Sequence, residues 1–264
     1  MMKIYNEIAT IKSNHQIAYN IFESHMYSPN ISSVVKPGQF INILPSKDWN
    51  KIMRRPMSVA SQKEGYISII YKIFGEGTEL MSQWKENDKV DILGPLGNTW
   101  ENYDNTFPIL IGGGVGIAPI MNLHNELKTK KIDNILIVGA REKREHFMNH
   151  NTEKNIYLTT DQDDYGIKGN VINALDKILD NINKPVKIFT CGPHGMMLAV
   201  KEYCSNNNLD CDFALETIMA CGIGICQGCT IIRNYEKNDS YRKKYALACI
   251  DGPVFNAEEI SNAF

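Results

Sequence analysis

Three cysteines crowd one glycine-rich loop, Cys221-Gly222-Ile223-Gly224-Ile225-Cys226-Gln227-Gly228-Cys229, and a fourth, Cys249, stands alone downstream. The spacing C-x4-C-x2-C with a distant fourth cysteine is the ligand pattern of a plant-type [2Fe–2S] cluster. Four thiolates can hold two bridged irons. The loop around the inorganic sulfurs must then turn tightly and bring amide N–H groups close, which Gly222, Gly224 and Gly228 permit. A structural zinc site is the alternative, but zinc usually pairs two short cysteine knuckles instead of drawing three ligands from one loop. The chain has seven cysteines and none before Cys191. An odd, clustered set favours metal or redox chemistry in a reducing compartment over a disulfide framework. Cys204 lies on an apolar helical pattern and reads as a buried thiol acting as a small hydrophobe; neither it nor Cys211 receives a role.

Two further stretches suit anionic ligands. Arg54-Arg55-Pro56-Met57-Ser58 opens a strand, where a guanidinium can grip a pyrophosphate and a serine hydroxyl can reach a flavin edge. Phe74-Gly75-Glu76-Gly77-Thr78 then leads into a short helix whose N-terminus favours phosphate. Ile109-Leu110-Ile111-Gly112-Gly113-Gly114-Val115-Gly116-Ile117-Ala118-Pro119 is a strand, a glycine loop and a helix with proline in its first turn, a context for close approach of a dinucleotide. It is not the standard G-x-G-x-x-G, since Ile117 takes the third glycine position, and Gly139-Ala140-Arg141 supplies no acid after the next strand. Thr190-Cys191-Gly192-Pro193 ends a parallel strand, so Cys191 is placed to border a nicotinamide, a buried structural thiol being the competing reading.

These residues need elements to hold them. Residues 3–100 show short apolar stretches such as Gln39-Phe40-Ile41-Asn42-Ile43-Leu44 between turn residues, which predicts a small antiparallel β-barrel interrupted by a short helix from Thr78 to Trp84. Gly94-Pro95-Leu96-Gly97-Asn98 is expected to break regular structure. Beyond it, strands (Phe107–Ile111, Ile135–Val138, Ile156–Leu158, Val186–Phe189) alternate with helices (Pro119–Lys130, Val171–Leu179, Met196–Cys204), which predicts a parallel α/β sheet. The expected division is a β-barrel over 1–102, an α/β parallel-sheet nucleotide-binding domain over 103–210 and a small cluster domain over 211–264. Lysine and arginine number 28 against 30 acidic residues, a net charge of −2, which argues against nucleic-acid binding. No apolar run is long enough to span a membrane and the start lacks a secretory core, so a cytoplasmic chain is expected.

Arg55-Pro56-Met57-Ser58, Gly75-Glu76-Gly77-Thr78, Gly112 to Pro119, Cys191-Gly192-Pro193, Met219 to Cys226 and Cys249-Ile250-Asp251-Gly252-Pro253-Val254-Phe255 together resemble the ferredoxin-reductase superfamily. Within it they are most similar to the electron transfer subunits of dihydroorotate dehydrogenase B. The resemblance covers nearly the whole chain. It implies an FAD-binding barrel, an NAD-binding domain and a C-terminal [2Fe–2S] domain. It also implies an FMN-containing catalytic subunit as partner, in a heterotetramer of two of each, in pyrimidine biosynthesis. Carried over, Arg55, Pro56, Met57, Ser58, Lys72, Gly75, Gly77 and Thr78 hold FAD, Gly112, Gly113, Gly114 and Gly116 meet NAD, and Cys221, Cys226, Cys229 and Cys249 hold the cluster. Met57 stands where the superfamily often has an aromatic residue. The charged stretch between the third and fourth cysteines (Arg233, Glu236, Lys237, Asp239, Arg242, Lys243, Lys244) is longer than usual for the family and suggests an exposed hairpin tip. Two other functions share parts of this pattern: a reductase subunit of a hydrogenase or sulfide-reducing complex, and a zinc-stabilised nucleotide-binding module without electron transfer.

Overall fold

A computed structural model describes residues 3–46, 53–236 and 239–262; Lys237 lies outside them. Six strands, β1 (Tyr5–Ala18), β2 (Ile21–Tyr27), β3 (Phe40–Leu44), β4 (Arg55–Lys63), β5 (Tyr66–Lys72) and β6 (Lys89–Leu96), close an antiparallel barrel in the order β1-β2-β5-β4-β3-β6. Alternation along β3 divides its side chains between two environments: Ile41 and Ile43 fill the barrel with Ile67 and Ile69, whereas Phe40 faces the core shared with the rest of the chain. A four-residue helix, α1 (Pro29–Ser32), follows β2, and α2 (Glu76–Ser82) follows β5.

The break expected over Gly94–Asn98 comes only towards its end, after Leu96. β6 runs on through Gly94-Pro95 to Leu96, and its register against β3 slips between Asn42↔Leu93 and Phe40↔Leu96. A bulge of this kind accommodates a proline that has no ladder N–H to give. The chain turns at Gly97, where φ is +77°.

Five parallel strands follow, β7 (Phe107–Gly113), β8 (Ile135–Ala140), β9 (Ile156–Thr160), β10 (Ile167–Lys168) and β11 (Val186–Cys191), with α3 (Ile117–Thr129), α4 (Val171–Ile178) and α5 (His194–Asn206) between or after them. β12 (Asp210–Ala214) also runs parallel to β11 and crosses the position expected to separate the second domain from the third. The C-terminal segment carries a two-stranded hairpin, β13 (Thr230–Ile232) with β14 (Tyr245–Leu247), and a four-residue helix, α6 (Tyr241–Lys244), before β14. It returns as β15 (Val254–Asn256), antiparallel to β12, so the full sheet reads β10-β9-β8-β7-β11-β12-β15. Buried Lys187 fastens this edge, with Nζ 2.9 Å from Asp212 Oδ2 and 3.1 Å from Asp210 Oδ2, while Asn256 of β15 donates to Asp210. Among the described residues no helix is long and apolar enough to cross a membrane.

The strand order reverses between β7 and β11, and ligands of such sheets gather at that crevice beyond the carboxyl ends of the strands. The barrel is docked there. Asn122 of α3, itself buried, donates to the Val59 carbonyl of β4 at 3.0 Å. Lys72 pairs with Glu145 at 2.7 Å, and Arg144 stacks on the Tyr19 ring at 3.9 Å.

Candidate functional site

The cysteine loop begins just beyond β12 and folds back on itself. Cys226 N–H donates to Cys221 Sγ and Gly228 N–H to Cys226 Sγ, each at 3.4 Å. Cys229 Sγ and Cys249 Sγ lie 3.2 Å apart, Cys249 being set there by the β13–β14 hairpin. The thiols thus stand as two neighbouring pairs, and among the described residues no three His, Cys, Asp or Glu side chains converge on one ion position. The donor chemistry and the N–H···S contacts fit an iron–sulfur cluster. Gly222 has φ +70° and lies directly against the Asn42 amide, so any side chain there would be strained and would clash. Desolvation is the largest single effect on the Cys221 thiol and raises it, but N–H donation from Cys226, Ile223 and Ile225 and a hydrogen bond with the Cys226 thiol together outweigh it and lower the thiol to about 6. Burial, reinforced by a hydrogen bond with Cys229, pushes the Cys249 thiol up to about 12. Cys226 is exposed, while Cys229 and Cys249 are buried.

A cavity of about 280 Å³ lies where all three parts of the chain meet. The barrel contributes Pro56, Met57, Ser58, Lys72 and Thr78 to its wall, the start of α3 contributes Ala118 with Val115 before it, and Leu215, Glu216, Thr217 and Met219 close it on the way to Cys221. Phe40 and Tyr71 are its aromatic walls; Met57 is partly turned into the barrel core. A larger groove of about 570 Å³ lies elsewhere, lined by Phe107, Ile135, Asn155 and Lys184 at or before the amino ends of the strands, far from the chemistry-bearing residues.

Of the two adjacent arginines, Arg54 is consumed by the barrel: it pairs with Asp91 at 2.8 Å and donates to the Asn42 and Asp91 carbonyls. Arg55 extends to Gly77 at the start of α2, with Nη1 on the Met53 carbonyl at 2.7 Å. Gly75 faces open space, and the Thr78 hydroxyl closes the loop by accepting from Phe74 N–H at 2.9 Å and Gly75 N–H at 3.2 Å. Lys72 lines the cavity while bound to Glu145.

Gly112 and Gly113 end β7, Gly114 to Gly116 form a single 3₁₀ turn, and α3 begins at Ile117, so the glycine loop sits at the switch point. Cys191 is directly opposite Gly112 in the parallel register. A Cβ on Gly116 would come within 2.6 Å of the Cys191 carbonyl carbon, so only glycine lets the loop lie on that strand end. Cys191 is fully buried, and desolvation, with a smaller contribution from the Glu216 charge, pushes its thiol well above the usual range. Glu216 Oε1 lies 4.0 Å from Cys191 Sγ. The Glu216 side chain borders the open cavity, yet enough protein surrounds its carboxyl that desolvation raises it above the ordinary carboxylate range.

Sequence reasoning missed Glu216 and Phe40, because nothing local marks them; they join the site only through the β11–β12 and β3–β4 pairings. Cys204 and Cys211 are buried on α5 and β12, as the apolar pattern around Cys204 suggested for that thiol.

Comparison with known proteins now adds an independent observation. Residues 216–261 match the family described as the iron–sulfur cluster binding domain of dihydroorotate dehydrogenase B, and residues 110–202 match the oxidoreductase NAD-binding domain. The electron transfer subunit of dihydroorotate dehydrogenase B (NAD(+)) from Caldanaerobacter subterraneus subsp. tengcongensis is 35% identical, covering 96% of this chain and 97% of that one. That from Fusobacterium nucleatum is 32% identical over 98% of this chain and 99% of its own length. The chain belongs to the family of dihydroorotate dehydrogenase B electron transfer subunits. It is an oxidoreductase subunit with the ferredoxin-reductase fold. A solved chain of the NADH-dependent reduced ferredoxin–NADP oxidoreductase superposes with a TM-score of 0.82 at 31% identity, over 97% of this chain and 90% of that one. The ferredoxin reductase of carbazole 1,9a-dioxygenase shares the fold alone, with a TM-score of 0.66 at 18% identity over 78% of this chain and 67% of its own.

Proposed function

We propose that this chain is the electron transfer subunit of an NAD-linked dihydroorotate dehydrogenase, accepting electrons from the FMN of a dihydroorotate-oxidising partner subunit and delivering them to NAD+ through its own [2Fe–2S] and FAD sites. One observation carries the proposal: a single cavity is walled by the flavin motif of the barrel, the glycine loop of the sheet and the segment that leads into Cys221. A flavin exchanges electrons singly with an iron–sulfur centre and as a pair with nicotinamide, which is the chemistry needed between the other two sites.

The protein's own groups then have distinct tasks. Arg55, with its guanidinium beside Gly77, offers a fork for a pyrophosphate, and Ser58 and Lys72 present polar groups to the cavity. Gly112, Gly113, Gly114 and Gly116 let a dinucleotide approach the sheet at the switch point. Cys191 stays protonated and uncharged, a small wall bordering the nicotinamide that adds no negative charge to it. Cys221, Cys226, Cys229 and Cys249 hold the cluster.

The partner would meet the cluster face. Cys226 is exposed there, and Ile218, Ile225 and Ile250 of the same C-terminal segment are 86%, 76% and 54% exposed, apolar side chains suited to a lasting subunit contact. A heterotetramer of two of each subunit, acting in the cytoplasm where the remaining thiols, Cys191, Cys204 and Cys211, stay reduced, completes the proposal.

The test is reconstitution. Dihydroorotate-dependent NAD+ reduction should need both the chain and an FMN-bearing partner, while the flavin-loaded chain alone should pass electrons from NADH to an artificial acceptor. A flavin-loaded chain inert toward NADH would overturn the scheme, and reduction of a hydrogenase or sulfide-reducing partner in place of the dihydroorotate-oxidising one would reassign it.

A further inference from the structure

Asn42 is the one polar residue in the run Phe40-Ile41-Asn42-Ile43-Leu44, and it is wholly buried. Alternation sends it outward from the barrel, on the side of β3 that carries Phe40 to the cavity. Its Nδ2 donates to the Cys221 carbonyl at 3.0 Å across a sequence separation of 179 residues. Gly222 packs against the same amide. Opposite Asn42 in the β3–β4 ladder is Pro56, part of the cavity wall. The Asn42 main-chain carbonyl is in turn held by Arg54, which Asp91 anchors. One side chain therefore links the strand beside the flavin motif to the first cysteine of the loop.

Its Oδ1 is buried without a hydrogen-bond partner. Fold stability would favour an aliphatic residue here, since a half-satisfied buried amide is costly to keep. Among the described residues the amide makes one long-range bond, and that bond goes to the cysteine loop.

We propose that Asn42 is a positioning residue for the cluster, pinning the first ligand loop to the flavin barrel and thereby holding the N–H groups of the loop on the cysteine sulfurs. The proposal rests on the reading of the cysteine loop as an iron–sulfur site. Hydrogen bonds to sulfur stabilise the reduced cluster and raise its potential, so a loosened loop should lower it.

The experiment compares Asn42→Leu, which keeps the approximate volume but cannot donate, with Asn42→Gln, which retains a donor. Both proteins are purified anaerobically with FAD and cluster bound, and potentiometric titration is followed by electron paramagnetic resonance. Asn42→Leu should show a broadened, shifted cluster signal and a lower cluster potential, with the flavin potential of the same sample unmoved, and about 10-fold or more loss of iron retention on chelator challenge. Asn42→Gln should restore much of the wild-type signal. Should the leucine variant be recovered without flavin, Asn42→Ser, too short to reach the Cys221 carbonyl, takes the same test. A wild-type spectrum and potential in the variants without the donor defeats the role of Asn42. Absence of iron from the wild-type chain defeats the cluster assignment itself, so the two failures are distinguishable.

Discussion

Asn98 follows the turn that leaves the barrel, and its side chain holds the segment just after Cys249. Nδ2 donates to the Asp251 carbonyl at 2.9 Å and the Val254 carbonyl at 2.8 Å, and Oδ1 accepts from Val254 N–H at 2.9 Å. Replacing Asn98 by alanine removes all three bonds. At roughly 1 kcal/mol each the loss is about 3 kcal/mol, reduced to about 2 kcal/mol because Asp251 is exposed and Asn98 only partly buried, so water can replace part of what is lost. For a chain of this size that corresponds to a fall in Tm of about 4–8 °C. The damage should be local, since β15 and the Cys249 turn lose an anchor while the barrel and the parallel strands keep theirs. The assay is a thermal melt recorded in parallel by circular dichroism and by visible absorbance of cluster and flavin. In the variant, cluster bleaching should move to lower temperature and separate from flavin release. A variant melting within about 1 °C of wild type, with cluster and flavin still lost together, would refute the claim that these bonds fasten the Cys249 turn.

Three further outcomes are expected. Arg55→Ala should weaken FAD binding by about 10- to 100-fold, the equivalent of the roughly 1.5–3 kcal/mol carried by hydrogen bonds to a charged group, read by flavin fluorescence on dialysis; unchanged retention would remove Arg55 from the site. Lys187→Met should cost about 2–3 kcal/mol by leaving buried Asp212 without its cation, and Lys187→Met combined with Asp212→Leu should recover most of it in denaturant melts. Glu216 has its carboxyl raised above the ordinary 4.5 by desolvation, so its protonated form is favoured in the folded state and its carboxylate form disfavours folding as pH rises past the unfolded value. Glu216→Gln should therefore melt above wild type at pH 8, with the difference closing below about pH 4; a difference that does not change with pH would count against the desolvated carboxyl.

What the sequence made legible is what is local in the chain. Three cysteines within one loop, the alternation of strands with helices, and Gly112–Gly116 between a strand and a helix each depend on neighbours a few residues apart, and the structure keeps them together. The cavity depends on strand order, which periodicity does not encode. Glu216 reaches Cys191 because β12 lies beside β11, and Asn42 reaches Cys221 because the barrel docks on the sheet. The break expected over Gly94–Asn98 shows the opposite case, where the first turn residues, Gly94 and Pro95, are carried within β6 by a bulge in its pairing with β3 and the chain turns only at Gly97. Arg54 and Arg55 look alike in sequence, and only the position of Asp91 on β6 assigns one to the barrel and leaves the other to reach Gly77 at the start of α2.

Metal and flavin analysis of the anaerobically purified chain, joined to electron paramagnetic resonance after reduction by NADH, bears most directly on the paired thiols beside the cavity. The account predicts two irons with equivalent acid-labile sulfide and one FAD per chain, and a paramagnetic two-iron signal that disappears in Cys249→Ser. A colourless protein containing zinc and no iron, or an iron signal indifferent to Cys249, would contradict it.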